Sequence, residues 1–130
     1  LKSLGAAFVE RFDRLRSVAD AEQMTSRVQG GAQLLVFPEG TLVAAPGTLP
    51  FRLGAFLAAA HAGVPVIPVS LGGTRQLLGD GRWWPRPADL TVHVGAALTE
   101  PASSDPFAAA VRLRDRARRV IIRGLSDSDA

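Results

Sequence analysis

Two short, unbroken apolar runs limit what this chain can fold into. Leu34-Leu35-Val36-Phe37 and Val66-Ile67-Pro68-Val69 lack the alternation of a half-exposed strand. Such runs suit strands buried on both faces. Between them, Leu53 to Ala62 is apolar and Ala-rich. It reads as a buried helix closed by Gly63, since glycine commonly follows a helix end. Strand, helix and strand in this order argue for an α/β domain, with a mixed or mostly parallel sheet and flanking helices. Pro68 places the second run at a sheet edge or strand end, because proline has no N–H for the ladder.

The rest of the chain extends this alternation. Gly5 to Val9 reads as a short strand, and Phe12 to Val28 as a helix stopped by Gly30-Gly31. Pro38 to Pro50 is a loop rich in Gly and Pro, and Gly72 to Pro87 is irregular around a Gly-Asp-Gly turn. Leu90 to Val94 predicts a third strand. Asp105 is placed to N-cap a last helix with Pro106 at its first position. That helix is expected to reach Gly124, with residues 126–130 as a flexible tail and residues 1–125 as the structured unit. No stretch reads as a transmembrane helix, because His61, Gly63, Pro65 and Pro68 interrupt the most apolar region.

Composition removes several chemistries. The 130 residues include no Cys, which excludes disulfides, thiolate metal sites and a cysteine nucleophile. His61 and His93 are the only histidines, too few for a histidine-rich metal site. The net charge is +3, a weak field for a nucleic-acid binder. Lys2 is the only lysine, so the basic charge is almost wholly arginine. Arg112, Arg114, Arg116, Arg118, Arg119 and Arg123 cluster on the last helix, opposite Val111, Ala117, Val120 and Ile121. That pattern fits a solvated helix face. The functional alternative is attraction to anionic lipid headgroups or nucleic acid. The chain opens on Leu1 with no signal-peptide pattern after it, which reads as a processed chain or a fragment.

The chemistry is concentrated at Phe37-Pro38-Glu39-Gly40-Thr41. An apolar run ends there and is followed at once by a carboxylate, a glycine and a hydroxyl. Ligands of α/β sheets bind at strand ends. Gly40 permits close backbone approach or a positive φ, and the N–H groups of Gly40 and Thr41 can face an anion or oxyanion. A plain turn with Glu39 in water is the competing reading.

The neighbouring blocks decide between them. Gly5-Ala6-Ala7-Phe8-Val9-Glu10-Arg11 fits Gly-x-x-Phe-(Val/Ile)-x-Arg, and Phe37 to Thr41 fits Phe-Pro-Glu-Gly-Thr. Pro50-Phe51-Arg52-Leu53-Gly54 fits Pro-Phe-(Lys/Arg)-x-Gly, and Val64 to Val69 is an apolar strand around a proline. In this order, from Leu4 to about Leu98, the chain resembles the glycerolipid acyltransferases. These include 1-acylglycerol-3-phosphate and glycerol-3-phosphate acyltransferases. The resemblance implies a glycerolphosphate acyltransferase-like fold, of which this chain holds the second to fourth motifs.

It also implies transfer of a fatty acyl group from a thioester, on coenzyme A or acyl carrier protein, to a hydroxyl of a glycerol-phosphate lipid. Arg11 would bind the acceptor phosphate. Glu39 and Gly40 would bind and position the acceptor, beside Thr41, with Arg52 as a further contact and Pro68 in the wall of the site. No cofactor is implied beyond the thioester co-substrate. The setting would be the cytoplasmic face of a membrane, reached peripherally or through segments outside this chain.

Two departures from the family pattern matter. Leu42 stands where many members have Arg, so Arg52 or Arg75 would have to supply that contact. The family's base is a His followed after four residues by an Asp. Neither His61, followed by Val66, nor His93, followed by Leu98, fits this spacing. The chain is therefore expected to lack the base, and a non-catalytic lipid- or acyl-carrier-binding module is the alternative. Trp83-Trp84, between Arg82 and Arg86, is either an interfacial anchor or a partly buried pair. Gly72-Gly73-Thr74-Arg75 reads as a tight turn more readily than as a phosphate site.

Overall fold

The computed structural model describes residues 14–40, 48–77, 84–101 and 105–128. In chain order they form α1 (Arg14–Gln29), α2 (Gly54–Ala62), β1 (Val69–Gly72), α3 (Thr74–Leu77), β2 (Thr91–Val94) and α4 (Pro106–Ser128). The strand expected at Gly5–Val9 lies outside the described residues.

The helices start and stop where local chemistry requires. Past α1, the N–H of Ala32 donates to the Arg27 carbonyl at 3.0 Å and that of Gly31 to Val28 at 2.9 Å. Past α2, Val64 donates to Ala59 at 3.1 Å and Gly63 to Ala60 at 3.4 Å. Both pairs are the double closure of a Schellman motif, which satisfies carbonyls the helix leaves open. At the start of α4, the Ala108 N–H donates to Asp105 Oδ1 at 3.0 Å, as the sequence predicts for an N-cap. The far end of α4 differs from expectation. Gly124 lies inside the helix, which continues to Ser128 and so takes in the start of the expected tail.

The core lies between α2 and α4. Phe51, Phe56, Leu98, Ala110, Leu113 and Ala117 are buried together, with Leu53, Leu57, Ala60, Val66 and Ile121 packed around them. The rings of Phe51 and Phe56 stack with centroids 6.4 Å apart. On α4, Ala110, Leu113, Ala117 and Gly124 recur at helical spacing on the buried side. Helix α2 packs on α1 as well as on α4, which explains why its sequence is apolar nearly all round.

The α/β class holds, but the pairing among the described residues is one antiparallel pair, with Val69 opposite Val94 and Gly72 opposite Thr91. The second apolar run therefore contributes a strand shifted toward its C-terminal side. Val66 forms a separate antiparallel bridge with Leu98, and the register slips by one residue between that bridge and β1. Pro68 sits at the slip. It has no N–H to give, and its carbonyl accepts from the Gly95 N–H at 2.9 Å. The extra residue on the partner side is a bulge, which tolerates such a gap. Nor is the run buried on both faces. Pro68, Ser70 and Gly72 are buried, whereas Ile67, Val69 and Leu71 are exposed, because α4 covers one face.

The first apolar run departs further from expectation. Leu34 to Phe37 is not a strand, and Leu35 is 81% and Phe37 71% exposed. An apolar run states a demand for burial, but a strand also needs a neighbour to pair with. The described residues form no pairing to this segment.

Two contacts hold α4 in place. The Glu100 carboxylate, with its side chain 10% exposed, receives Arg112 Nε at 2.7 Å and Arg116 Nη1 at 2.8 Å. Farther along, a Cβ at Gly124 would collide with Ser70 Oγ and lie 3.1 Å from His93 Cδ2. Ser70 is buried, and its hydroxyl has no hydrogen-bond partner among the described residues.

These contacts give two stability predictions. Gly124→Ala lowers the unfolding free energy by about 1–2 kcal/mol through overpacking, despite Ala being the better helix former. Ser70→Ala is neutral or stabilising, because it removes an unsatisfied buried hydroxyl. In the Ser70→Ala background, Gly124→Ala loses most of its penalty. A denaturant double-mutant cycle measures the coupling, and simple additivity would refute the contact.

The second prediction concerns pH. The hydrogen bond from Arg112, and then that from Arg116, holds the Glu100 carboxyl below its ordinary pKa. A carboxylate lowered in the folded state stabilises fully above its unfolded pKa, about 4.3 for Glu, and loses that contribution as pH falls through the folded value. Glu100→Gln should therefore lower the melting temperature at neutral pH, and the gap to the unsubstituted chain should close in acid. Thermal melts across pH check this.

Candidate functional site

The turn after the first apolar run is built from backbone outward. The Gly40 N–H donates to the Phe37 carbonyl at 3.1 Å. Gly40 has φ of +68°, a conformation that costs an L-residue about 1–2 kcal/mol. The turn is then clamped to the segment before α2. The Arg52 N–H donates to the Pro38 carbonyl at 2.8 Å. The Leu49 N–H donates to Glu39 Oε2 at 2.9 Å, in a half-buried setting. A backbone bond and a carboxylate thus bring residues 38–40 against residues 49–52.

Arg52 completes the cluster. A Cβ at Gly40 would lie only 2.6 Å from Arg52 Nε, so the guanidinium group packs directly over the glycine. Its position follows from its neighbours. Phe51 is buried and stacked on Phe56, and Leu53 is packed against the core. Arg52 is left exposed between them, beside the turn.

Behind this segment is an open cavity of about 380 Å³ lined by Pro50, Phe51, Arg114, Asp115 and Arg118. Arg118 Nη2 donates to the Thr48 carbonyl across 3.5 Å, and Arg114 Nη2 lies 2.8 Å from Asp115 Oδ1. No local pattern of residues signals this approach of α4, which comes only from the fold.

The expected site residues thus divide. Glu39, Gly40 and Arg52 are together. Pro68 is buried against Gly95, whose added Cβ would lie 3.0 Å from the proline Cγ. Arg11, Thr41 and Leu42 lie outside the described residues, as do Arg82 and Trp83. His61 and His93 are exposed, and neither has a carboxylate partner among the described residues. Among the described residues no group of His, Cys, Asp and Glu is placed to hold a metal ion. The cluster offers a carboxylate fixed by one oxygen, a guanidinium group and a glycine turn. That combination suits holding an anionic, hydroxyl-bearing molecule.

Comparison with known proteins follows the same residues. A family model described as Acyltransferase matches residues 1–72. A 1-acyl-sn-glycerol-3-phosphate acyltransferase of Chlamydomonas reinhardtii is 35% identical over 109 residues, covering 83% of this chain and 33% of the relative. One from Haemophilus influenzae is 38% identical over 80 residues, covering 61% of this chain and 33% of the relative. Among solved structures, the 1-acyl-sn-glycerophosphate (LPA) acyltransferase PlsC of Thermotoga maritima superposes with a TM-score of 0.74 at 28% identity. That match covers 87% of this chain and 47% of the other. The chain thus spans about a third of those two curated relatives and just under half of the solved one.

The clamp makes a prediction independent of any reaction. Glu39→Ala should destabilise the chain by about 1.5–3 kcal/mol, the worth of a hydrogen bond to a charged group. Glu39→Gln keeps an acceptor for Leu49 and should lose less. Gly40→Ala should cost about 1–2 kcal/mol for its backbone conformation alone, and Arg52→Ala should recover the steric remainder. Denaturant titrations of the parent, these single variants and the Gly40→Ala/Arg52→Ala double variant test this, and a Glu39→Ala chain as stable as the parent would rule out the clamp.

Proposed function

The chain belongs to the acyltransferase family, and on that premise we propose that its protein acylates a glycerol-phosphate lipid such as lysophosphatidic acid. The donor is an acyl thioester, on coenzyme A or acyl carrier protein. In the reaction the acceptor hydroxyl oxygen attacks the thioester carbonyl carbon. A C–O bond forms, the C–S bond breaks, and the hydroxyl proton passes through a base to the leaving thiolate. The observation that supports this reading most is the packing of Arg52 over Gly40 beside the fixed Glu39 carboxylate.

Within this proposal each residue has a part. Arg52 grips the acceptor phosphate through its guanidinium fork, together with Arg11. Glu39 positions the acceptor, and Gly40 leaves room for the guanidinium. Thr41 adds a hydroxyl and backbone N–H at the turn, and Pro68 stiffens the wall. This chain is the acceptor-binding part of a larger domain. Among the described residues neither histidine has an orienting carboxylate, and the general base in this proposal is a His-Asp pair of the intact protein.

The setting proposed is the cytoplasmic face of a membrane. Trp84 is 75% exposed, with Arg86 also exposed nearby in sequence, and a Trp with basic neighbours suits the headgroup level. Among the described residues no helix is long and apolar enough to cross a membrane.

The test is acyl transfer to lysophosphatidic acid by the intact protein. Arg11→Ala and Arg52→Ala should each raise the acceptor KM roughly tenfold to a hundredfold, the loss of one charge-assisted contact. Glu39→Ala should reduce kcat/KM comparably, and the 130-residue chain alone should show no turnover. Unchanged kinetics in all three variants would overturn the site assignment. An intact protein that binds the lipid without transfer would favour the non-catalytic module.

A further inference from the structure

The structure divides the arginines of α4 into two sets. Arg112 and Arg116 share the two oxygens of Glu100, Arg114 meets Asp115, and Arg118 reaches the Thr48 carbonyl. Arg119 and Arg123 are exposed and have no hydrogen-bond or ion-pair partner among the described residues. At that spacing they are neighbours on one helix face, where like charges repel. Both also line an open cavity of about 190 Å³, with Leu98, Arg116 and Val120 completing its walls.

This arrangement has the parts of an anion site. The cavity is several times the ~30 Å³ that one water occupies in the liquid, so it has room for a phosphate group with residual water. Two guanidinium forks offer paired N–H donors that match phosphate oxygens. Buried Leu98 and half-buried Val120 form an apolar back wall, which strengthens the attraction by lowering the local dielectric. A bound dianion would also relieve the repulsion between the two arginines. The family model ends at residue 72, before α4 begins.

We propose that Arg119 and Arg123, over the Leu98–Val120 wall, bind a phosphate group, carried by a lipid headgroup or free in solution. The site stands independently of the acyl-transfer reading. Its occupant is recognised by charge and oxygen geometry, and the two sources are separated by experiment.

The probes are inorganic phosphate, followed by calorimetry, and vesicles of phosphatidylcholine with and without phosphatidic acid, followed by co-sedimentation. The 130-residue chain is compared with R119Q/R123Q and with R27Q/R114Q, which removes the same charge away from this cavity and leaves the Glu100 contacts intact. Gln is a good helix former, and circular dichroism verifies that α4 survives. R119Q/R123Q should bind roughly tenfold or more weakly, from the loss of two basic contacts, while R27Q/R114Q binds nearly as the parent does. Such loss on vesicles with phosphatidic acid, without measurable phosphate binding, assigns the site to lipid headgroups. Such loss with phosphate but no vesicle binding assigns it to the free ion, and loss with both supports either source. Equal weakening of the two variants, no weakening of R119Q/R123Q, or no binding of either probe by the parent overturns the site.

Discussion

The close approach of α4 to the rest of the molecule is the constraint on which the other features depend. That approach is set by small side chains. Ala109, Ala110 and Ala117 are buried on α4, and Leu113 is its fully buried large side chain. Side chains this small bring the helix backbone near its neighbours, and interiors packed at crystal-like density leave little slack. The same stripe reaches Gly124, where even a methyl group would strike Ser70. A single face of one helix therefore fixes both the α2 layer and the β1–β2 pair.

The candidate site inherits its position from that packing. Phe51 belongs to the buried cluster with Ala110, Leu113 and Ala117. Its burial sets the direction of the adjoining Arg52, which is exposed. Arg118 of α4 also reaches the Thr48 carbonyl on the same segment. The guanidinium group of Arg52 is thus carried by a segment anchored on both sides, and less of its conformational freedom remains to be lost on binding an anion.

What could be read in advance divides by the range of the interaction. The Asp105 cap, the Gly30-Gly31 and Gly63 stops and the strand near Leu90–Val94 are local, and each appears where the residues indicate. The grouping of Glu39, Gly40 and Arg52 was legible only through the resemblance of two blocks, not through spacing alone. The bond from Leu49 to Glu39 and the reach of Arg118 to Thr48 join residues without local signatures, so sequence could not supply them. The apolar runs misled in a specific way. Hydrophobicity states how much surface a segment would hide, not which partner hides it. Leu34 to Phe37 is exposed among the described residues, and β1 is covered on one face. Gly124 misled for a related reason. A glycine near a helix end signals termination, unless a neighbouring element occupies the space of its missing side chain.

The turn at residues 37–40 shows why its residue types belong together in this chain. Its preceding apolar segment is not held in a ladder among the described residues, so strand pairing does not fix the turn there. Two bonds from residues 49 and 52 do so instead, one through the Glu39 carboxylate. A carboxylate has about four lone-pair sites. Accepting one N–H from Leu49 therefore holds the loop while leaving acceptor capacity for a hydroxyl. Gly40 plays the complementary part, because the space a side chain would fill is taken by Arg52. Glutamate, glycine and arginine thus form one mechanical unit before they form a binding site. A change to any of the three is transmitted to the other two through the clamp.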